Sequence, residues 1–169
     1  MAKKYIGCEI IQAEPITLGA YNIFRGWTIP QDENPNEKGY KITYFIRGKA
    51  QYTYKPKSDF DRTYYQLEEG TKITQGDLNG FVEELRATTE PNGRSTITRL
   101  DTITGFNGIE VSTCVSKENY SQLMGAEIGK KKFEDKLWLA LGFMLRWAVY
   151  GLDDYKKKYR VQSGRTKNA

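Results

Sequence analysis

Along the first third of the chain, apolar and polar residues alternate in short runs that are typical of β-strands. One run covers residues 5–12, and two more, residues 40–46 and 50–54, are rich in aromatic and β-branched side chains. Residues 47–49 have a suitable length for a hairpin between the last two runs. Residues 30–39 interrupt the pattern with Pro and Asn and predict a loop. We therefore expect a small antiparallel sheet surrounded by aromatic side chains.

A helical period of apolar residues begins after Thr74. The residues that recur at the spacing of one helix face are Leu78, Phe81, Val82 and Leu85. Thr74 can cap the N-terminus of this helix, and Asp77, three residues later, is an acid in the position that a capping box requires. The pattern predicts an amphipathic helix over residues 75–87.

Two segments in the middle of the chain predict a β-hairpin. Residues 95–104 are rich in threonine, and residues 109–115 alternate apolar with polar side chains. Gly105 and Gly108 enclose a short turn between these segments. We expect Phe106 to lie at the tip of the hairpin.

The next part of the chain carries the apolar positions of a long helix. These positions are Tyr120, Met124, Ile128, Leu137, Trp138, Leu141, Leu145 and Val149. Ser116 suits the N-cap of this helix, and Gly151 is its expected end. Gly125 and Gly129 stand one turn apart, so we expect another backbone to approach the helix closely there.

The predicted elements define an α+β fold class, in which an antiparallel β-sheet packs with two α-helices after a small β-rich N-terminal module. We place the N-terminal module at residues 1–56 and a linker at residues 57–71. An α/β domain then covers residues 72–151. A basic C-terminal tail, residues 152–169, completes the predicted organisation.

The chain has 169 residues and contains no histidine. Serine–histidine and cysteine–histidine nucleophile pairs are therefore excluded, as are histidine acid–base groups and histidine metal ligands. The two cysteines, Cys8 and Cys114, form neither a CxxC motif nor a disulfide framework, which is typical of a reducing compartment. Without a glycine-rich phosphate loop either, we expect a non-enzymatic protein with no catalytic residues, no metal site and no cofactor.

The net charge of +5 is concentrated at the C-terminus. Residues 1–154 carry 20 basic and 21 acidic side chains, whereas the remainder carries six basic side chains and no acid. We interpret this basic end as a solvated terminus, which disfavours a nucleic-acid partner. A membrane partner is not expected, because no apolar run approaches the ~20 residues of a spanning helix.

Three stretches in the second half resemble a family of small tailed-phage proteins. They are Lys-Ile-Thr-Gln-Gly-Asp at residues 72–77, Ser-Thr-Cys-Val-Ser-Lys-Glu-Asn-Tyr at residues 112–120, and Lys-Leu-Trp-Leu-Ala-Leu-Gly-Phe at residues 136–143. The resemblance covers about residues 72–147. The phage Thoeris anti-defence sponge family of the first class is similar to the same proteins.

This resemblance implies a function and an assembly. Such sponges sequester cyclic ADP-ribose isomers made by bacterial immune enzymes, and some relatives hold cyclic oligonucleotides, in both cases without degrading them. We therefore expect a cyclic nucleotide ligand, and the cytoplasm of the infected bacterial host as the location. The resemblance also implies a homo-oligomer, a dimer or a trimer of dimers, with ligand pockets between protomers. The apolar surface of the last helix agrees with an oligomer.

A nucleotide pocket requires cationic groups for the pyrophosphate, a flat apolar face for the base, and small polar groups for the riboses. The residues of this chain that offer these groups near the family motifs are Arg99, Phe106, Ser116, Asn119, Lys132 and Lys136. We predict these six as ligand-binding residues.

Other interpretations of these residues stay open. Arg99 can simply be solvated, Phe106 can close an oligomer interface, and Lys136 can pair with Glu134 or Asp135. The alternative function is a phage regulator or inhibitor that binds a host protein or nucleic acid through residues 130–132 and the basic tail.

Overall fold

The structure is a computed structural model that describes residues 2–46 and 48–152; the predicted tail beyond residue 152 lies outside these residues. In chain order, the elements of the described residues are β1 (Gln12–Thr17), α1 (Leu18–Arg25), β2 (Lys38–Ile46), β3 (Lys49–Pro56), α2 (Lys57–Thr63), α3 (Gln75–Phe81), β4 (Val82–Thr89), β5 (Ser95–Thr102), β6 (Asn107–Thr113) and α4 (Gln122–Tyr150).

The chain forms two compact units. Among the described residues, one unit covers residues 9–66, and the other combines residues 2–8 with residues 67–152. Each contains an antiparallel three-stranded sheet, in the order β1-β2-β3 and β4-β5-β6 respectively. The predicted α+β fold class, with its β-rich N-terminal module, is confirmed. The predicted boundaries of the four segments stay predictions.

In the N-terminal unit, the hairpin of β2 and β3 is confirmed, but the predicted first strand is wrong. Residues 5–11 form no strand, and β1 instead begins at Gln12, which pairs with Thr43. Backbone pairing with β2 decides the position of this strand, whereas Tyr5 and Ile6 gain no burial and remain exposed. β1 lies at the sheet edge and accommodates Pro15 because an edge strand can lack one ladder donor.

In the C-terminal unit, the first helix is shorter than predicted. The predicted capping box between Thr74 and Asp77 is present, but α3 ends at Phe81. The chain continues as β4, which pairs antiparallel with β5 along most of its length. Backbone hydrogen bonds to β5 therefore outweigh the helical apolar period, and Leu85 at its end remains exposed.

The hairpin of β5 and β6 is confirmed, with Phe106 in the turn between them. Ser116 as the N-cap of the last helix is wrong. α4 begins at Gln122, and the Ser121 hydroxyl accepts a hydrogen bond from the Met124 N–H at 3.3 Å. The segment before it is held instead by the Tyr120 hydroxyl, which lies 2.8 Å from the hydroxyls of both Thr89 and Thr96.

A stripe of residues at every fourth position of α4 packs on the sheet. Its members are Gly125, Gly129, Phe133, Leu137 and Leu141, all of them buried. The larger three form the core together with Leu78 of α3 and Leu100 of β5. A close approach at the two glycines is confirmed, but the groups that approach are side chains of β5 and β6 and not another backbone. α4 ends at Tyr150, before Gly151, also as predicted.

None of the helices in the described part of the chain is long and apolar enough to cross a membrane.

Candidate ligand-binding site

The two glycines of α4 set the distance between this helix and the strands that carry the candidate residues. A Cβ atom at Gly125 would overlap the side chain of Thr96, and one at Gly129 would overlap that of Thr98. The Ser112 hydroxyl donates to the Gly125 carbonyl at 2.8 Å and fixes this approach. The helix therefore lies directly on the short side chains of Thr96, Thr98 and Ser112.

One turn further along α4, Phe133 lies over Gly108 of β6. A Cβ atom at Gly108 would overlap the Phe133 ring, so the absence of a side chain there makes room for it. Phe106 stacks beside this ring, with centroids 6.4 Å apart and planes 24° apart. Phe133 is buried, whereas Phe106 is 64% exposed and offers an open ring to solvent.

The backbone of Phe106 is fixed even though its ring is exposed. Its carbonyl accepts hydrogen bonds from the Thr102 N–H at 2.9 Å and from the Thr102 hydroxyl at 2.7 Å. Gly105 before it adopts a positive φ of 79°, which the tight turn requires. The exposed ring thus stands on a preorganised turn.

Two lysines of α4 flank Phe133 and reach edge strand β6. The Lys132 ammonium donates to the Val111 carbonyl at 2.8 Å. The Lys136 ammonium pairs with Glu110, whose side chain is largely buried. Lys136 therefore pairs across to the sheet, not with Glu134 or Asp135 on its own helix. Of the predicted set, Lys132 and Lys136 thus contact edge strand β6, and Phe106 contacts Phe133, which lies between the two lysines along α4.

Arg99 lies on the opposite face of the same sheet. Its neighbours Thr98 and Leu100 are buried toward α4, so the alternation of β5 directs Arg99 away from the helix. Arg99 and its cross-strand neighbour Arg86 both pair with Asp101, at 3.1 and 2.7 Å. Hydrogen bonds from Arg99, which has the larger influence, and from Arg86 hold the pKa of the Asp101 carboxyl below its ordinary value.

Ser116 and Asn119 lie in the segment between β6 and α4, at the other end of the sheet. Strand β6 separates them from Phe106, and its seven residues span about 20 Å at ~3.4 Å per residue. One chain therefore gathers three of the six predicted residues along one edge, while the other three lie elsewhere.

Sequence reasoning missed two residues of this group. Phe133 supplies the second ring, and the every-fourth-residue stripe that begins at Gly125 could have revealed it. Glu110 supplies the partner of Lys136, and no local signal indicates it because the two residues are 26 positions apart. Within residues 2–46 and 48–152, no three Cys, Asp or Glu side chains are grouped so that they could hold a metal ion.

Comparison with known proteins gives one match. No curated protein matches the chain, and no solved structure does. A family model described as phage protein (N4 Gp49/phage Sf6 gene 66) matches residues 41–149. The match includes β3 and every element from α2 to β6, together with nearly all of α4. On this match, which covers more than half of its length, the chain belongs to the N4 Gp49/phage Sf6 gene 66 family of phage proteins.

Proposed function

We propose that this protein binds a cyclic nucleotide immune signal, a cyclic ADP-ribose isomer or a cyclic oligonucleotide, and holds it without degrading it. The observation that carries the proposal is the exposed Phe106 ring, stacked on Phe133, which lies between Lys132 and Lys136 along α4. Membership in a phage family and the resemblance to anti-defence sponges support it. The place of action is then the cytoplasm of the infected bacterium, where the signal is made.

The chemistry of the group suits a nucleotide. A base stacked on an exposed aromatic ring typically contributes about 1–3 kcal/mol, and any base can use this face. Lys132 and Lys136 supply positive charge on the same edge of the sheet. Their present partners are a carbonyl and a carboxylate, and a pyrophosphate competes for both ammonium groups through charge-assisted hydrogen bonds.

A second protomer completes the proposed site. Because one chain gathers only part of the predicted set, Ser116, Asn119 and Arg99 contribute to a common pocket only if another copy supplies them. The C-terminal end of α4, called the far end below, offers a surface for such an assembly, since Leu139, Phe143 and Tyr150 are exposed there. We therefore propose a homo-oligomer, a dimer or a trimer of dimers.

Capture without turnover is part of the proposal. The chain has no histidine, the side chain that titrates near neutral pH and most often moves protons in catalysis. A protein that only sequesters its ligand needs no such group, and the ligand then leaves the protein chemically unchanged.

The test is to incubate the purified full-length protein with the products of a bacterial TIR-domain enzyme and, separately, with cyclic oligonucleotides. After removal of free nucleotide, the protein is denatured and the released compound is identified by mass spectrometry. We expect an intact cyclic nucleotide. Release of a cleaved product contradicts capture, and release of nothing from any mixture contradicts binding.

Phe106→Ala tests the assigned residues. We expect it to weaken capture tenfold or more, since the base loses its stacking partner. Phe45→Ala is the matched control, because Phe45 is equally exposed, at 64%, but lies on β2 of the other unit. Equal capture by both variants would remove Phe106 from the site.

The alternative function, binding to nucleic acid, predicts a different response to salt. Capture that depends on several phosphate contacts weakens steeply as salt rises, whereas a stacked and partly enclosed ligand is less sensitive. The local pairing of Lys130 with Glu134 at 3.5 Å leaves this lysine less available for a nucleic-acid surface. We expect weak salt dependence of capture.

A further inference from the structure

A cleft of about 530 Å³ opens in the N-terminal unit, between α1, the loop that follows it, and β3. The residues that line it are Leu18, Tyr21, Asn22, Trp27, Thr28, Pro30, Glu33, Tyr52, Thr53 and Tyr54. Four of them are large aromatic side chains, and one, Glu33, carries a charge. Aromatic walls with a few polar groups are typical of sites for small organic groups.

The aromatic walls are held in place by local structure. Tyr21 is buried, and its hydroxyl donates to the Tyr52 carbonyl at 3.1 Å. Its ring centroid lies 6.0 Å from that of Trp27, edge to face, and 5.7 Å from that of Tyr54. Gly26 ends α1 with a positive φ of 70°, and the Trp27 N–H donates to the Asn22 carbonyl at 2.9 Å. Trp27 is thereby held at the cleft while 53% exposed.

The carboxylate of Glu33 is also positioned. Asn22 is buried, and its side-chain amide donates to Glu33 Oε2 at 3.1 Å. Among the described residues, no cationic side chain forms an ion pair with Glu33. No lysine or arginine lines the cleft either. The cleft therefore presents an exposed carboxylate beside aromatic rings, oriented by the hydrogen bond from Asn22 and with acceptor capacity left over.

The same unit already places cations on its aromatic rings. The Arg25 guanidinium lies 4.8 Å from the centroid of Trp27, and the Lys41 ammonium lies 4.3 Å from that of Phe24. These contacts use the attraction between a cation and the electron-rich face of a ring. Two rings that line the cleft therefore already have a cation nearby: Arg25 beside Trp27, and Lys41, whose ammonium lies 5.7 Å from the centroid of Tyr52. Neither cation lines the cleft, where the charged group is Glu33.

We propose that this cleft binds a guanidinium group, the side chain of an arginine presented by a polypeptide. A guanidinium is planar and stacks on Trp or Tyr, and its N–H groups match a carboxylate such as that of Glu33. A phosphate or carboxylate ligand would instead meet the Glu33 charge with no cation in the lining to balance it. The proposal is independent of nucleotide capture, which is assigned to the other unit.

The experiment uses the full-length, isotope-labelled protein and nuclear magnetic resonance. The probe is N-acetyl-L-arginine methylamide, and the Trp27 indole N–H and the Asn22 side-chain amide report binding. The corresponding citrulline derivative is the uncharged control of nearly equal shape. We expect saturable shifts at the cleft with the arginine probe and at least tenfold weaker binding of the citrulline probe.

Glu33→Gln tests the assigned carboxylate, and Asp32→Asn is the matched control because Asp32 is the adjacent acid and does not line the cleft. The glutamine oxygen can still accept from Asn22, so we expect the fold to be kept, which the remaining amide signals check. We expect Glu33→Gln to weaken the arginine probe about tenfold and Asp32→Asn to leave it unchanged.

Two results overturn the proposal. One is equal affinity for the arginine and citrulline probes, and the other is undiminished binding of the arginine probe by a folded Glu33→Gln variant. Free L-arginine serves as a second probe, which tests whether the guanidinium belongs to a polypeptide or to the free amino acid. Tighter binding of the capped form supports a polypeptide ligand, and tighter binding of the free amino acid overturns it.

Discussion

Gly129 lies where α4 packs on β5, so replacing its Cα hydrogen with a methyl group should destabilise this contact. A Cβ atom would overlap the Thr98 side chain, and both groups belong to rigid elements. Gly142 lies in the same helix with nothing within 4 Å of the position of its Cβ. Substitution by alanine should therefore change the stability of the protein in opposite directions at the two positions.

We predict that Gly129→Ala lowers the free energy of unfolding by about 1–3 kcal/mol, the typical cost of overpacking a well-filled interface. Gly142→Ala should raise it by about 0.5–1 kcal/mol, because alanine loses less backbone entropy in a helix interior. Urea titration of both variants measures the difference. Equal effects at the two positions would mean that α4 does not approach β5 as described.

Several single residues could be identified from sequence because their signals are local. The capping pair of Thr74 and Asp77, the turn residue Phe106 and the paired glycines of α4 each depend on a few neighbouring positions. The partner of Lys136 depends on a strand 26 residues away and leaves no such signal. Sequence could also name candidate binding residues, but which face of the sheet α4 covers depends on long-range packing, so it could not show that Arg99 lies on the opposite face.

At the scale of elements, the carboxylate of Asp77 caps the N-terminus of α3. Asp77 Oδ1 accepts the Glu68 N–H at 2.9 Å, and Oδ2 accepts the Thr74 N–H at 2.8 Å. Burial, the largest influence, raises the pKa of Asp77, but the hydrogen bonds from Glu68 and Thr74 together outweigh it. The pKa of Asp77 is therefore lowered from its ordinary value.

This pKa shift predicts a pH-dependent contribution of α3 to stability. A carboxyl with a lowered native pKa contributes fully above its unfolded pKa of about 3.9, and the contribution is lost as the pH falls through the native value. Asp77→Asn should cost about 1–3 kcal/mol at neutral pH. The difference from wild type should shrink below about pH 4, measured by urea unfolding across pH. A constant difference would contradict the role of the charge.

The apolar period that predicted a helix to residue 87 shows where element-level reasoning fails. Leu78 and Phe81 follow the helical period, as expected for α3. Leu78 is part of the core, and Phe81 packs against it. Val82 fits the same period, yet it begins β4 because β5 offers ladder partners to most of this strand, from Val82 to Thr89, with an irregularity between Val82 and Glu84. Short apolar segments carry both periods, and pairing over long sequence distances decides between them.

At the scale of the whole molecule, the proposed assembly depends on the far end of α4. Phe143 is 68% exposed and lies next to Trp147, with ring centroids 6.3 Å apart. We predict that Phe143→Asp reduces the mass of the oligomer, because a charge cannot be buried there without a partner. Glu127→Gln, an exposed change on the same helix, is the control. Light scattering at micromolar concentration measures both, and a monomeric wild type would contradict the proposal.

The length of α4 has a consequence for how related proteins can diverge. Its 29 residues span about 43 Å, whereas the eight residues of β5 span about 26 Å. In the part of the helix that lies on the sheet, residues 125–141, packing limits the size of the side chain at each buried position. The remaining C-terminal part, residues 142–150, contains no buried residue and lacks this constraint. We therefore expect residues 142–150 to vary in evolution with the partners of each protein, while the stripe on the sheet keeps its two glycines and its three large apolar side chains.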